Sequence, residues 1–337
     1  MQRLVACSLA LALFAACATQ SEPEEPAVAE TPAAPPQTAI SNGVIDMKLY
    51  LPDAENGYYQ GTRFDWSGVV HSLTYAGHEV FGEWREYSEE NMHDRITGPV
   101  EEFVTNMKGL GYDEAEVGGE FIRIGVGVCK KPEEEDFNRF KTYEIVDGGD
   151  WTVDQGDNWI EFVHVLSGGA GYGYRYVKRL TLPEGEPQLV ITHTLENTGE
   201  KRIDTEVYNH NFFVIDDRPT GPEFTVRLGY EAEAYDSKLE GIATVEGDQI
   251  VFAEEIPEGQ SIITFLRGFG DTPDHHRFEI ENSVAGVGVR AQTDQPLSQA
   301  LFWAPRTTLC PEGYSAMSIE PGASHDWTTR YEFYEVD

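Results

Sequence analysis

The sequence predicts an all-β fold: two large antiparallel sheets packed as a sandwich, with one or two short helices. Three observations carry that prediction. Strand-like runs recur along the 337 residues with clusters of Gly, Pro, Asn and Asp between them. Only one segment shows helical spacing. After a non-globular N-terminal stretch about 295 residues remain, long for an ordinary domain but normal for one large β-sandwich.

In chain order, residues 1–16 read as an export signal, with Arg3 before the mostly apolar run Leu4 to Phe14, too short to span a bilayer stably. The run ends in Phe14-Ala15-Ala16-Cys17, which resembles a bacterial lipobox and implies lipidation at Cys17. With Ala18 following, the resemblance implies an outer-membrane lipoprotein facing the periplasm, held by its N-terminal lipid only. Residues 17–41 carry five prolines among Ala, Thr and Glu with no apolar periodicity, the composition of an extended tether. The folded domain is then expected over 42–337. No later run of 18 apolar residues is present.

The strand runs begin with Phe121 to Val128 and Lys141 to Asp147. Trp159 to Leu166, Tyr174 to Leu182, Leu189 to Leu195 and Glu206 to Ile215 follow. Phe224 to Tyr230, Ile262 to Leu266, Phe278 to Glu281, Val287 to Ala291 and Leu301 to Ala304 complete the series. The helix candidate follows Pro99, a favoured first helical residue, with Val100, Phe103, Val104 and Met107 on one face. Gly168 to Gly173 read as a hairpin loop, since no helix follows to offer amide donors to a phosphate.

Charge excludes several partners. The formal charge is −35, and loss of residues 1–16 removes only Arg3, leaving 59 acidic against 23 basic residues, or −36. Such a surface repels phosphate backbones, so nucleic acid is not an expected partner. It also argues against polyuronate or sulfated glycans unless a local basic patch exists. Cys129 and Cys310 are the two cysteines of the folded part, and they are read either as a disulfide or as two buried apolar side chains. Their spacing fits no zinc pattern, and the Asp271, Asp274, His275, His276 cluster beside Pro273 reads as a solvated loop, so no metal and no cofactor are expected.

The chemistry points to Tyr208-Asn209-His210-Asn211-Phe212-Phe213. Strand alternation puts His210 on one face with Tyr208 and Phe212, and an imidazole among aromatic rings serves equally as a general acid or as a hydrogen-bonded core residue. His193 alternates with Leu189, Ile191 and Leu195 and reads as core. Arg63, near Phe64 and Trp66, offers a fork of donors for a sugar hydroxyl or carboxylate. Trp84, Trp303 and Tyr314 are candidates for stacking on the apolar face of a sugar. No nucleophile elbow, Walker loop or His-Glu-x-x-His is present.

The Asn209 to Phe213 segment resembles the Asn-His-x-Tyr/Phe-Phe strand of the aldose 1-epimerases, the galactose mutarotase-like superfamily. Gly61 to Val80 is similar to that family's first hairpin, and Ile319-Glu320-Pro321-Gly322 with Trp327 to Phe333 to its closing turn and last strand. The resemblance implies a β-supersandwich and cofactor-independent isomerisation at the anomeric carbon of a free sugar or an oligosaccharide end. It makes His210 the acid for the ring oxygen and Glu312 of Leu309-Cys310-Pro311-Glu312 the base. The family's Asn-Arg-Ile and His-Gly-Gly segments have no clear copies here; His93-Asp94 followed by Gly98-Pro99 is only a loose substitute. Two alternatives stand beside this reading: a carbohydrate-binding module without turnover, and a glycan lyase or hydrolase on a similar sandwich.

Overall fold

The computed structural model describes residues 34–87, 89–133 and 136–336. The export segment, Cys17 and most of the expected tether lie outside these residues. The domain starts earlier than position 42, because Gln37–Ser41 is already a strand (β1), paired antiparallel with Ile45–Tyr50 (β2). Asn42-Gly43 makes the turn. Gly43 takes a φ of +84°, which favours glycine, and the Asn42 side chain accepts from the amides of Val44 and Ile45. Val69–Tyr75 (β3) and His78–Phe81 (β4) complete this four-stranded sheet.

The segment read as a helix is a strand, Val100–Val104 (β5), with every residue buried. Helical spacing of its valines and phenylalanine coincided with a strand enclosed on both faces, where alternation disappears. Met107, the last residue of the supposed stripe, sits exposed at a φ of +62° in the turn that ends β5. Among the described residues the only helices are two short 3₁₀ segments, Glu89–Asp94 and Pro273–His275.

The Phe121 to Val128 run divides into Glu120–Arg123 (β6) and Gly127–Lys130 (β7), joined by a turn closed by Val126 N–H donating to Arg123 C=O. The Lys141 run is strand only at Ile145–Asp147 (β8). A long meander follows: Asp150–Gln155 (β9), Trp159–Gly169 (β10), Tyr172–Thr181 (β11) and Gln188–Asn197 (β12). Then come Ile203–His210 (β13), Phe224–Leu228 (β14), Glu233–Lys238 (β15), Ala243–Glu246 (β16), Gln249–Phe252 (β17) and Ser261–Arg267 (β18). The last five are Arg277–Asn282 (β19), Val287–Thr293 (β20), Gln299–Pro305 (β21), Cys310–Ile319 (β22) and Ser324–Glu335 (β23).

Two large sheets result. One has ten strands in the order β16-β17-β14-β19-β20-β23-β12-β11-β10-β9, the other six in the order β15-β18-β21-β22-β13-β5. The pairings are antiparallel, and alternate residues such as Ile160, Phe162, Leu180, Ile191 and Phe302 fill the core between the sheets. Glu101 joins them: its carboxylate takes a short hydrogen bond from Lys178 of β11 and lies 2.8 Å from His193 Nε2 of β12 and 2.8 Å from Asn209 Nδ2. His193 is thus a buried, partnered histidine, as its strand pattern implied.

Candidate active site

Cross-strand partners in a sheet share a face, and the pairings here put four of the predicted residues, His210, Trp303, Glu312 and Tyr314, on one face of the six-stranded sheet. Tyr208 stands opposite Tyr314 on β22 and Glu102 on β5; Leu301 stands opposite Glu312; His210 is the second residue after Tyr208. This is the face turned away from Glu101 and Asn209. Loops carrying Arg63, Trp84, Asp94 and Arg139 cover it and leave a cavity of about 330 Å³. His210, Glu312, Arg63, Trp303, Tyr314 and Trp84 all line it.

His210 closes β13. The chain turns away behind it because Phe212 takes a φ of +43° and Asn211 is pinned on both sides, its Nδ2 donating to Pro311 C=O at 2.7 Å and its Oδ1 accepting from Tyr331 at 2.7 Å. The imidazole stacks on Phe212 at 3.7 Å between centroids and meets the edges of Phe64 at 5.6 Å and Trp303 at 5.5 Å. Its Nδ1 is buried without a partner among the described residues. Burial, and then the nearby Arg63 charge, hold its proton affinity well below the ordinary 6.5, so the ring is neutral.

Glu312 Oε1 lies 3.4 Å from His210 Nε2, and Tyr314 donates to its other oxygen at 3.1 Å. Only 4% of the residue is exposed. Burial pushes the carboxyl up to about 7, against the pull of Arg139 and Arg63. Burial thus acts on the two neighbours in opposite directions, raising the proton affinity of the Glu312 carboxyl and lowering that of the His210 imidazole.

Behind this pair, Glu102 gathers cations. Its carboxylate lies 2.9 Å from Arg63 Nε, 3.2 Å from Arg123 Nη2 and 2.5 Å from Arg139 Nη2, and accepts from Tyr208 at 2.5 Å. Burial alone would raise its pKa; Arg139, Arg63 and Arg123 override that and keep it ionised well below the usual carboxylate range. Arg63 also reaches Asp94 at 2.7 Å and Tyr208 at 3.3 Å.

The structure alters several expected roles. Arg63 lies in an irregular segment rather than a strand, and its three nitrogens are committed to Glu102, Asp94 and Tyr208. Tyr314 lines the cavity but is only 2% exposed: one face of its ring stacks on Tyr208 at 4.2 Å, and its hydroxyl orients Glu312. Trp84 is packed on Phe212 at 5.2 Å with Arg85 over its ring, so at most its edge meets the cavity. Trp303 is half-buried and is the indole best placed to meet a ligand. Cys129 and Cys310 are unpaired and buried. In the acidic loop cluster His276 is buried, its Nδ1 within 3.0 Å of Gln295 C=O, and the described residues hold no group of three or more metal-ligating side chains.

Sequence reasoning missed Glu102 and Arg139, and met Asp94 only within the loose motif substitute His93-Asp94. Glu102 was hidden in the helix-spaced segment. Arg139 stands in Asp136-Phe137-Asn138-Arg139-Phe140, after a run of acids that reads as solvated loop. The two aromatics flanking the arginine were the available signal.

Comparison with protein-family models gives no match, and no curated protein matches. Solved structures do match, at low identity. A galactose mutarotase-like protein from Clostridium acetobutylicum superposes with a TM-score of 0.55 at 13% identity, over 89% of this chain and 95% of that one. An aldose epimerase homologue from C. elegans gives 0.52 at 12% identity, over 90% and 100%. A candidate aldose 1-epimerase from Escherichia coli K12 gives 0.52 at 12%, over 89% and 100%. The chain thus has the galactose mutarotase-like sandwich fold.

Proposed function

We propose that this chain is a cofactor-independent isomerase acting at the anomeric carbon of an aldose. One observation carries the reading: His210 Nε2 and Glu312 Oε1 stand 3.4 Å apart in the wall of a 330 Å³ cavity. The ring oxygen and the hydroxyl oxygen of a cyclic aldose share one carbon, so a pair this close can address both.

The chemistry balances with one proton. Glu312 gives its proton to the ring oxygen as the bond from that oxygen to the anomeric carbon breaks, and His210 takes the proton of the anomeric hydroxyl, leaving an open-chain aldehyde. Rotation about the bond to the next carbon turns the other carbonyl face. The ring closes as His210 returns its proton to the carbonyl oxygen and Glu312 accepts one from the attacking hydroxyl, which restores the starting state. Tyr314 holds the carboxyl, and the stacked Phe212 holds the imidazole. No metal or cofactor enters these steps.

The test is polarimetry or exchange NMR on several aldoses. His210→Asn and Glu312→Gln should each slow interconversion by about 10² to 10⁴ while sugar binding changes little. In the wild type kcat/KM should fall above about pH 7, where Glu312 loses its proton, and on the acid side only well below 6.5, where His210 gains one. Equal rates in wild type and variants would move the chemistry elsewhere. No rate above buffer for a sugar that binds would leave a carbohydrate-binding module. The lipobox-like Phe14 to Cys17 supports placing the domain on a lipid-anchored chain in the cell envelope.

A further inference from the structure

Cationic side chains gather in and behind the cavity wall. Four guanidiniums, of Arg63, Arg85, Arg123 and Arg139, converge on two carboxylates, of Asp94 and Glu102. Glu312 adds no charge while it keeps its proton, and His210 is neutral. Of these groups Arg63, Arg139 and Asp94 line the cavity itself, so a local excess of cationic side chains faces it inside a chain of formal charge −35.

Donors outnumber acceptors as well. Each guanidinium has five N–H groups and no acceptor. Arg85 Nε, Arg123 Nη1 and Arg139 Nε are buried without partners among the described residues. Buried donors are ordinarily satisfied, and of these three side chains Arg139 is the one that lines the cavity, where a ligand acceptor can reach it. Arg63 and Arg139 line the cavity itself. Arg63 is fully committed, whereas Arg139 uses Nη2 alone, toward Glu102 and Tyr208.

From this we infer that the aldose taken by the cavity is anionic, carrying a carboxylate that Arg139 holds, as in a uronic acid. The inference rests on the sugar-binding reading above and specifies its substrate class. A planar guanidinium matches a carboxylate in two parallel hydrogen bonds, and the partial loss of solvent in a recessed cavity strengthens them. A phosphate ester would share the charge but is commonly met by main-chain amides at a helix N-terminus. The described residues contain no α-helix. The acidic surface, which argued against polyuronates, is offset here by the local basic patch that such a ligand requires.

Isothermal titration at pH 6.5 compares glucuronate with glucose, galacturonate with galactose, and glucose 6-phosphate with all four. At least one uronate should bind about tenfold or more tightly than its neutral partner. Arg139→Gln should erase that preference, the uronate and its neutral partner then binding within about twofold of each other, and Arg139→Lys, which keeps the charge but loses the fork, should fall between. If the glutamine variant does not fold, the lysine variant and the wild-type preference still decide. Equal affinities for uronates and neutral sugars, or a preference untouched in either variant, overturns the inference. Tightest binding by glucose 6-phosphate overturns the carboxylate assignment. A uronate that binds with preference but is not anomerised sinks the isomerase reading and leaves this one. Neutral aldoses anomerised without any preference for uronates do the reverse.

Discussion

Replacing Glu312 by glutamine should make the protein more stable at alkaline pH, although it removes the group proposed to carry the proton. The folded carboxyl sits at about 7 against an ordinary 4.5. A group raised on folding contributes stability that is complete below its unfolded value and is lost as the pH climbs through its folded one. Here the loss runs from about pH 4.5 to above 7. At about 1.36 kcal/mol for each pH unit the gap amounts to about 3 kcal/mol, and with 4% of the residue exposed there is little solvent to screen it. Glutamine fills the same space, can still accept from Tyr314, and cannot ionise. Urea unfolding of both proteins at pH 5 and pH 8.5 measures the effect. The difference in unfolding free energy should move in favour of the variant by about 2 to 3 kcal/mol between the two conditions. Other titrating groups, such as Asp65 at about 6 and the depressed His210, are present in both proteins and largely cancel. A difference that stays flat within about 0.5 kcal/mol, or moves the other way, would mean that Glu312 is not desolvated as its surroundings imply.

Three further outcomes are expected. Glu102→Gln leaves three guanidiniums around a neutral amide and should lower stability by about 3 to 5 kcal/mol; a cost under about 1 in urea unfolding would show that the arginines find other partners. Trp303→Ala should weaken sugar binding by about 1 to 2 kcal/mol with a modest change in Tm, because the indole is half-buried at the cavity rim; a large fall in Tm with unchanged affinity would make it a core residue. Cys17→Ser should move the protein from the membrane pellet to a soluble fraction, and a wild type already soluble without detergent would refute lipidation.

The fold was legible because its signal is repeated: strands such as β10, β11 and β12 alternate cleanly, and each has turn residues at both ends. The failures fall where alternation does not exist. β5 is buried on both faces, so its apolar spacing carried no face information and a helix was read into it. The site was half legible for a related reason. His210 stands out as a polar residue in an aromatic strand, and the tryptophans are conspicuous by type. Glu312 could be singled out only by its order in a family resemblance, since it is one of 59 acidic residues. The part played by Tyr314 depends on Tyr208 of the neighbouring strand, and that of Arg139 on Glu102; such partnerships are made by sheet pairing and loop closure and leave no mark in local sequence.

The two adjacent glutamates of β5 also bear on how the chain avoids misassembly. A strand buried on both faces could slide one residue along β13 without exposing any apolar group, so hydrophobicity does not oppose the error. Charge does. Glu101 answers Lys178 and His193 between the sheets, and Glu102 answers three arginines on the cavity side. A slip in one direction would set Val100 against Lys178, and a slip in the other would set Phe103 among the arginines. Either takes from a buried cationic group its nearest carboxylate, leaving Lys178 with Asp65 at 3.6 Å alone or the three arginines without Glu102, and each is costly. The pair acts as a positional key, admitting β5 in one alignment only, and the alignment it admits is the one that completes the cavity wall.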